Sequence, residues 1–241
     1  MEIKSKLIVF TLFIFLISGH TNGQSSRQVD DTTYKRIYNE AVIDAMVAEE
    51  SEICSTLVVI RHDNNYLYWH NGYVLVVTWT ASCPRYYVGD TVSTSWGEIW
   101  VTAVPELKNW FKKNPVSKDK ITIRTEQILG MPLNSTDSCF VEIWVKPEDL
   151  LRPAYDNEID KNFSENYFPV NVSSEYVTWF NNNIISSYYP PKGSNKYPWT
   201  RLGYTYDWGN PSNKIGLSEF IIKKNSKVII KSKQSTANYT Q

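Results

Sequence analysis

The spacing of apolar residues along the chain predicts four helices. Apolar side chains recur at helical intervals from Tyr34 to Glu50, and Pro105 opens a second helix with Glu106 near its positive end. A third helix ends before Gly130, and a fourth carries one apolar stripe. The predicted helices cover 34–50, 105–113, 121–129 and 173–187.

Runs rich in β-branched and aromatic residues predict the strands. Residues 73–81 are apolar on both faces, which is typical of a central strand covered on both sides. Asn71-Gly72 just before this run is a strong signal for a hairpin turn. The predicted strands cover 54–62, 66–70, 73–81, 85–88, 96–104, 139–145, 199–208, 216–222 and 227–231, with a short helical turn at 147–150.

These elements predict an α+β fold, because strands are grouped rather than alternating strictly with helices. We expect a single domain over 34–231, with a mixed but mainly antiparallel sheet and three or four helices packed on it. The irregular 152–171 loop is the weak alternative for a domain boundary, and 232–241 is expected to be a polar tail.

The first 23 residues have the layout of a secretory signal peptide. Lys4 and Lys6 precede an apolar run at 7–17, and small residues lead to a cleavage site after Gly23. This run is shorter than the roughly 20 residues that a membrane-spanning helix needs. We therefore expect a cleaved peptide at 1–23, a flexible leader at 24–33, and a soluble, secreted or periplasmic protein without a membrane span in its mature chain.

The net charge and the cysteine content limit which kinds of partner, disulfide and metal site we expect. Lys+Arg and Asp+Glu are both 25, and this neutrality argues against a nucleic-acid partner. The cysteines, Cys54, Cys83 and Cys139, allow at most one internal disulfide, and their spacing fits no zinc site. If the first strands form a meander, Cys54 and Cys83 lie too far apart, so a disulfide would involve Cys139. Whether any pair is bonded stays open, and the sequence predicts neither a metal site nor a cofactor.

Aromatic residues make up 14% of the chain, and some of them frame carboxylates in a regular pattern. Period-2 strand geometry places Trp96, Glu98 and Trp100 on one face of a strand, and Phe140, Glu142 and Trp144 on one face of another. Desolvation by such rings would raise the pKa of each carboxyl. Two such acids about 5–9 Å apart are the equipment of a glycoside hydrolase, so Glu98 and Glu142 are the catalytic candidates.

A second cluster lies in the predicted strand 199–208. Alternation places Arg201, Gly203 and Asp207 on its polar face, where glycine would let a ligand or another backbone approach closely. Together with the tryptophans above, this gives the candidate ligand-binding residues. They are Trp96, Trp100, Trp144, Arg201 and Asp207.

These patterns favour an exported protein that binds a polar ligand, such as a glycan, on an aromatic-lined sheet face. One alternative is a secreted, glycosidase-like hydrolase that uses Glu98 and Glu142, with Asp207 in reserve. The other is an envelope module that binds a protein partner of unknown identity. Structural ion pairs and core packing would explain the same residues without any ligand. Ligand identity, enzymatic activity and oligomeric state are left open.

Overall fold

A computed structural model describes residues 22–240, with side chains from residue 31 onward, and it confirms the α+β fold. The predicted signal peptide at 1–23 lies almost wholly outside the described residues. The helices are α1 (Asn22–Asp44), α2 (Val104–Lys113), α3 (Ile121–Ile128), α4 (Ser174–Tyr188) and α5 (Thr236–Tyr239). The strands are β1 (Trp69–His70), β2 (Tyr73–Thr80), β3 (Thr91–Ser93), β4 (Ile99–Ala103), β5 (Cys139–Val145), β6 (Leu150–Leu151), β7 (Tyr204–Tyr206), β8 (Ile215–Ile222) and β9 (Lys227–Ser235).

All strand pairings among the described residues are antiparallel. The sheet has the order β3-β9-β5-β2-β4-β8-β6, with β1 also paired to β2 and β7 to β8. The tight turn before β2 forms as predicted, with Asn71 at φ 48° and Gly72 at φ 80°. Two successive positive φ values are the requirement of a type I′ hairpin turn, and they explain the Asn-Gly pair.

The two faces of the sheet are covered differently. One face buries Val76, Val141 and Phe220 beneath loop residues that include Ile60 and Tyr86. The other buries the odd-numbered side chains of β2 beneath α2, α3 and α5. This coverage explains why β2 is apolar on both faces, as predicted for a central strand. Aromatic clusters attach α1 and α4 to the chain around β7.

Five predicted strands are absent or shortened, and two of them form only at Trp69–His70 (predicted at 66–70) and at Ile99–Ala103 (predicted at 96–104). Residues 54–62 form no strand, because their amides bond to a loop: Leu57 N–H donates to Asn162 O at 2.9 Å and Ile60 N–H to Ile159 O at 2.8 Å. The predicted strand 85–88 is preceded by a 3-10 turn at Cys83–Arg85 and is itself irregular. Only the part Tyr204–Tyr206 of the segment 199–208 is a strand.

Both ends of the described chain are more ordered than predicted. Residues 24–33 belong to α1, since no glycine or proline interrupts this stretch after Gly23. Residues 232–235 continue β9 and pair with β5 at 139–142, and α5 follows them. Tyr239 in α5 is 5% exposed and stacks on Phe140, so the end of the chain is part of the core rather than a tail.

One disulfide joins the start of β5 to the loop after β2. Cys83 and Cys139 are bonded with their Cα atoms 6.1 Å apart, and Cys54 is a buried free thiol. The bond includes Cys139, as expected, although the predicted strand 54–62 on which that expectation depended does not form. The bonded cysteines are 56 residues apart in sequence.

Candidate functional site

A fork in the middle of the sheet, between β2 and β4, opens into a cavity. Strands β2 and β4 pair at only two positions, Val76 with Ala103 and Val77 with Thr102. Beyond them β2 continues along β5, while β4 continues along β8. The space where the strands separate has a volume of about 730 Å³. This volume lies within the roughly 300–1,000 Å³ range of small-molecule sites.

Aromatic side chains form much of the cavity wall. Trp100 and Trp199 meet edge to face with their ring centroids 6.0 Å apart, and Trp199 is buried. Trp79 and Phe140 contribute from β2 and β5, and the segment around β7 supplies two tyrosines, Tyr204 and Tyr206. Such walls offer faces and edges on which a flat or apolar ligand can pack.

Glu219 is the acidic group on the inner wall of this cavity. It lies on β8 opposite Thr102 of β4, is only partly exposed, and lines the cavity. Within the described part of the chain its carboxyl has neither a hydrogen-bond nor an ion-pair partner, and its backbone N–H donates to Gly203 O at 2.9 Å. Burial raises the pKa of Glu219 from 4.5 to about 8. A perturbed carboxyl in an aromatic cavity is a strong candidate for a functional group.

Exposed residues mark the opening of the cavity. Trp96 is 61% exposed and lines the rim together with Arg85 and Glu98, which are also exposed. The indole of Trp179 in α4 donates a hydrogen bond to Glu98 Oε2 at 3.0 Å. This bond connects α4 to the chain just before β4 at the rim.

The structure therefore brings three of the predicted site residues together. Trp96, Glu98 and Trp100 all line the cavity, although β4 begins only at Ile99 and Trp96 lies in a turn before it. Trp144 is not part of this wall. It pairs with Leu75 near the opposite end of β2 and packs under the helices. Its ring centroid lies 5.7 Å from that of His70. The predicted platform of three tryptophans is not a single surface.

The two catalytic candidates do not meet. Glu142 of β5 and Thr102 of β4 both pair with Val77, so β2 separates the strands, and Glu98 lies four residues further along. Two strand spacings across and four residues along amount to about 16 Å between the Cα atoms. This separation exceeds what a pair of glycosidase carboxylates requires.

Glu142 is instead the centre of a buried hydrogen-bond network. Its carboxylate accepts bonds from Lys108 Nζ at 2.6 Å, Ser232 Oγ at 2.8 Å and Tyr239 OH at 3.0 Å. Burial favours the neutral acid, but these bonds and the charge of Lys108 outweigh it, so the pKa of Glu142 is lowered. This is opposite to the raised pKa expected from the sequence, and it indicates a structural ion pair.

The polar residues of 199–208 also have structural partners. Asp207 is buried and accepts two hydrogen bonds from the guanidinium of Arg124, at 2.7 and 2.5 Å. Arg201 has φ 61°, which interrupts the predicted strand, and its Nη2 donates to Ala45 O at 2.5 Å. Neither residue lines the cavity, so they do not form the polar ligand face that alternation predicts.

Gly203 allows a close approach, as predicted, but to a protein side chain. At its φ of 84° an added Cβ would lie 2.7 Å from Cδ of Arg152. Arg152 is fully buried and donates to the backbone carbonyls of Val58 and Lys161 at 2.8 and 3.0 Å. Burial lowers the pKa of Arg152 to about 10. Sequence analysis missed this organising arginine because nothing in its neighbours signals burial.

Glu219 was also missed, although a signal was present. It lies in a strand with Leu217 and Ile221 on the same face, which is the pattern that singled out Glu98 and Glu142. The neighbours of Glu219 on that face are aliphatic rather than aromatic, and the aromatic rings that share the cavity wall with it come from other parts of the chain. Only the tertiary structure brings them together.

Comparisons with known proteins add no family or functional information. No protein-family model, curated protein or solved structure matches this chain. Within residues 22–240, no three His, Cys, Asp or Glu side chains are grouped as a metal site would require. No helix in that same range is both long and apolar enough to cross a membrane.

Proposed function

We propose that this protein binds a small organic ligand in the cavity between β2 and β4. The observation that carries the proposal is the lone carboxyl of Glu219 on the wall of an aromatic cavity of about 730 Å³. A carboxyl that is largely removed from water and has no partner lowers stability, whereas a ligand that contacts it would compensate for that cost. Trp96 and Trp100, predicted as ligand-binding residues, fit this role at the rim and wall.

The cavity supports a ligand with an apolar or flat body and one polar group. A glycan, the ligand favoured by the sequence, would find stacking faces here. The hydroxyls of Thr102 and Thr205 in the cavity wall would not be free for the sugar, because they already bond to Glu106 and Ile128 O. Oligosaccharides therefore enter the test as competitors rather than as the leading ligand.

The hydrolase and the interaction module gain no support from a specific contact. The carboxylates proposed for hydrolysis lie two strands apart, and Glu142 is held by an ion pair. The exposed apolar residues at the cavity rim are explained by ligand entry. Binding in the cavity is the function that the geometry favours.

The test uses an uncharged fluorescent probe, N-phenyl-1-naphthylamine, whose emission rises in apolar sites. We expect one site in the wild type. We also expect roughly tenfold weaker binding in Ser187→Phe, which places a ring in the cavity from α4. Thr178→Phe is the matched control, because Thr178 is exposed on the same helix and does not line the cavity.

The outcomes separate the ligand classes. Equal probe binding in Ser187→Phe and wild type, with both folded by circular dichroism, would reject the cavity as the site. Displacement of the probe by maltohexaose or cellohexaose would identify a glycan as the ligand. No displacement by either sugar would leave the apolar-bodied ligand as the answer.

We also propose that the protein is exported after cleavage of residues 1–23. The charged start, the apolar run at 7–17 and the small residues before Gln24 support this. The Cys83–Cys139 disulfide supports it as well, since such bonds persist in oxidising compartments. Mass spectrometry of the product from a secreting host should find an N-terminus at Gln24, and an intact Met1 in the cell fraction alone would contradict the proposal.

A further inference from the structure

The carboxyl of Glu219 has neither an ion pair nor a hydrogen bond among the described residues, whereas buried Glu126, which also has no ion pair there, accepts a hydrogen bond from Ser135 N–H. Buried Glu142 faces Lys108, and buried Asp207 faces Arg124. For Glu219, burial is the cause of its pKa shift, and its carboxyl has no ion pair among the described residues. The site is therefore an unmatched negative charge whenever Glu219 is ionised.

Aromatic rings share the cavity wall with this carboxyl. Trp100 lies on β4 two residues before Thr102, the cross-strand partner of Glu219, and therefore on the same face of the sheet. Trp199 lies against Trp100. Ring faces attract cations electrostatically, and the attraction is stronger where water is excluded. A carboxylate beside such rings is the arrangement that recognises organic ammonium groups.

We propose that the ligand of the cavity is an organic cation, an ammonium group on an apolar or aromatic body, whose charge is held by the carboxylate of Glu219 and the surrounding rings. This inference rests on the proposed function, because it assigns the class of ligand to the same cavity. The apolar body would occupy the space along β2 and β4, and the cationic group would lie at β8.

The other ionisable groups in the cavity wall neither neutralise the carboxylate of Glu219 nor replace it as the negative charge. Arg85 is positive but exposed at the rim, and Glu98 lies about 13 Å along the sheet from the level of Glu219 and is bonded to Trp179. Burial raises the pKa of every phenol in the wall above 10, so these groups stay neutral near pH 7. The phenols are those of Tyr86, Tyr197, Tyr204 and Tyr206.

The test compares two probes of the same shape that differ only in charge. Phenyltrimethylammonium is a permanent cation, and tert-butylbenzene is its uncharged carbon isostere. Binding is followed by displacement of N-phenyl-1-naphthylamine from the wild type. We expect the cation to bind about tenfold more tightly than the isostere at pH 8.

Glu219→Gln removes the charge and keeps the shape of the side chain. We expect this variant to lose about tenfold in affinity for the cation and to bind the isostere at least as well as the wild type. Glu148→Gln is the charge-matched control, since Glu148 is exposed and lies outside the cavity wall. It should bind both probes as the wild type does.

The pH dependence gives an independent readout. The cation cannot titrate, so a change in its affinity must come from the protein. Because the ionised carboxyl contributes about tenfold to the affinity for the cation, this affinity should rise about fivefold between pH 6 and the pKa near 8, and about tenfold in all at higher pH. Glu219→Gln should show no such rise.

Each result supports or overturns the proposal. Equal affinity of the wild type for both probes, or tighter binding of the isostere, would overturn the cationic ligand while leaving the cavity as a binding site. Binding of neither probe, together with no binding of N-phenyl-1-naphthylamine, would overturn the proposed function as well. Preference for the cation that persists in Glu219→Gln would reject Glu219 as the group that holds the charge.

Discussion

Replacing Glu219 by Gln should make the protein more stable, and the gain should grow with pH. Burial raises the pKa of Glu219 in the folded state from 4.5 to about 8. Below pH 4.5 the folded and unfolded states both hold the proton, so the wild type has its full stability. Between pH 4.5 and 8 the unfolded state releases the proton and the folded state keeps it, so stability falls as pH rises. Above pH 8 both states are ionised and the loss is complete.

The size of the effect follows from the same pKa. At about 1.4 kcal/mol per pH unit, the wild type should lose about 4 kcal/mol between pH 5 and pH 8 through this one group. Water that enters the cavity solvates the carboxylate and reduces the loss, so about 2–4 kcal/mol is the expected range. Glu219→Gln cannot titrate, and its free energy of unfolding should lack this contribution.

The assay is urea denaturation of wild type and Glu219→Gln at pH 5, 6, 7 and 8, followed by tryptophan fluorescence. The quantity of interest is the difference in the free energy of unfolding between the two proteins at each pH. A difference that stays constant within about 0.5 kcal/mol over this range would refute the reasoning, because a normal carboxyl is ionised in both states above pH 5. A steady rise of the difference would support it.

Three further predictions test the structural roles of the other acids and of the disulfide. Glu142→Gln should lower the free energy of unfolding by about 2–3 kcal/mol at pH 7, because it breaks the ion pair with Lys108. This difference from the wild type should be constant from pH 5 to 8 and should disappear as pH falls through the lowered pKa of Glu142. If urea titrations show that the difference already shrinks above pH 5, the reasoning is contradicted. Asp207→Ala should cost about 3 kcal/mol because the half-buried guanidinium of Arg124 loses its partner, and the double variant with Arg124→Met should cost less than the sum of the two single variants. Simple additivity in a double-mutant cycle would argue against the ion pair. Replacing Cys83 and Cys139 by Ser should remove about 4 kcal/mol, and dithiothreitol should destabilise the wild type equally while leaving the double variant unchanged in thermal melts.

The sequence predicted those elements whose signals are local. The strand at Cys139–Val145 has the bounds predicted for it, and the helices α2, α3 and α4 agree to within one residue at their ends. The hairpin turn at Asn71-Gly72 follows from the conformational freedom of these two residues. In each case the periodicity and the turn or end residues point to the same structure, so tertiary contacts have nothing to override.

The errors arise where distant residues decide the local structure. The β-branched run at 54–62 has the composition of a strand, but its hydrogen-bond partners are loop residues near Asn162 and the side chain of Ser218. Residues 232–235 look like a polar tail, yet Ser232 is polar because it bonds to buried Glu142. Neither partner can be read from the segment itself.

The sequence predicted only the part of the candidate site whose residues are close together along the chain. Proximity along the chain was enough to group Trp96, Glu98 and Trp100. Only the strand order and the register show that Trp144 does not join this group. Trp144 lies on the same face of the sheet as Trp100, but it pairs with Leu75 at the far end of β2. One sequence does not contain that information, and so the fork between β2 and β4 was not foreseen.

The contrast among the buried acids is the strongest argument for where function lies. Glu142 and Asp207 are held by cationic side chains, and Glu106, whose pKa burial raises, accepts hydrogen bonds from Ser218 N–H and Oγ, both at 2.9 Å. These groups follow the rule that buried polar atoms have partners, so they are explained by the fold alone. The partly exposed carboxyl of Glu219 has no such partner within the described chain, and it lies on the wall of the aromatic cavity. Because an uncompensated acid costs stability that a glutamine would not, the ligand that we propose would account for Glu219 at this position by supplying the missing partner.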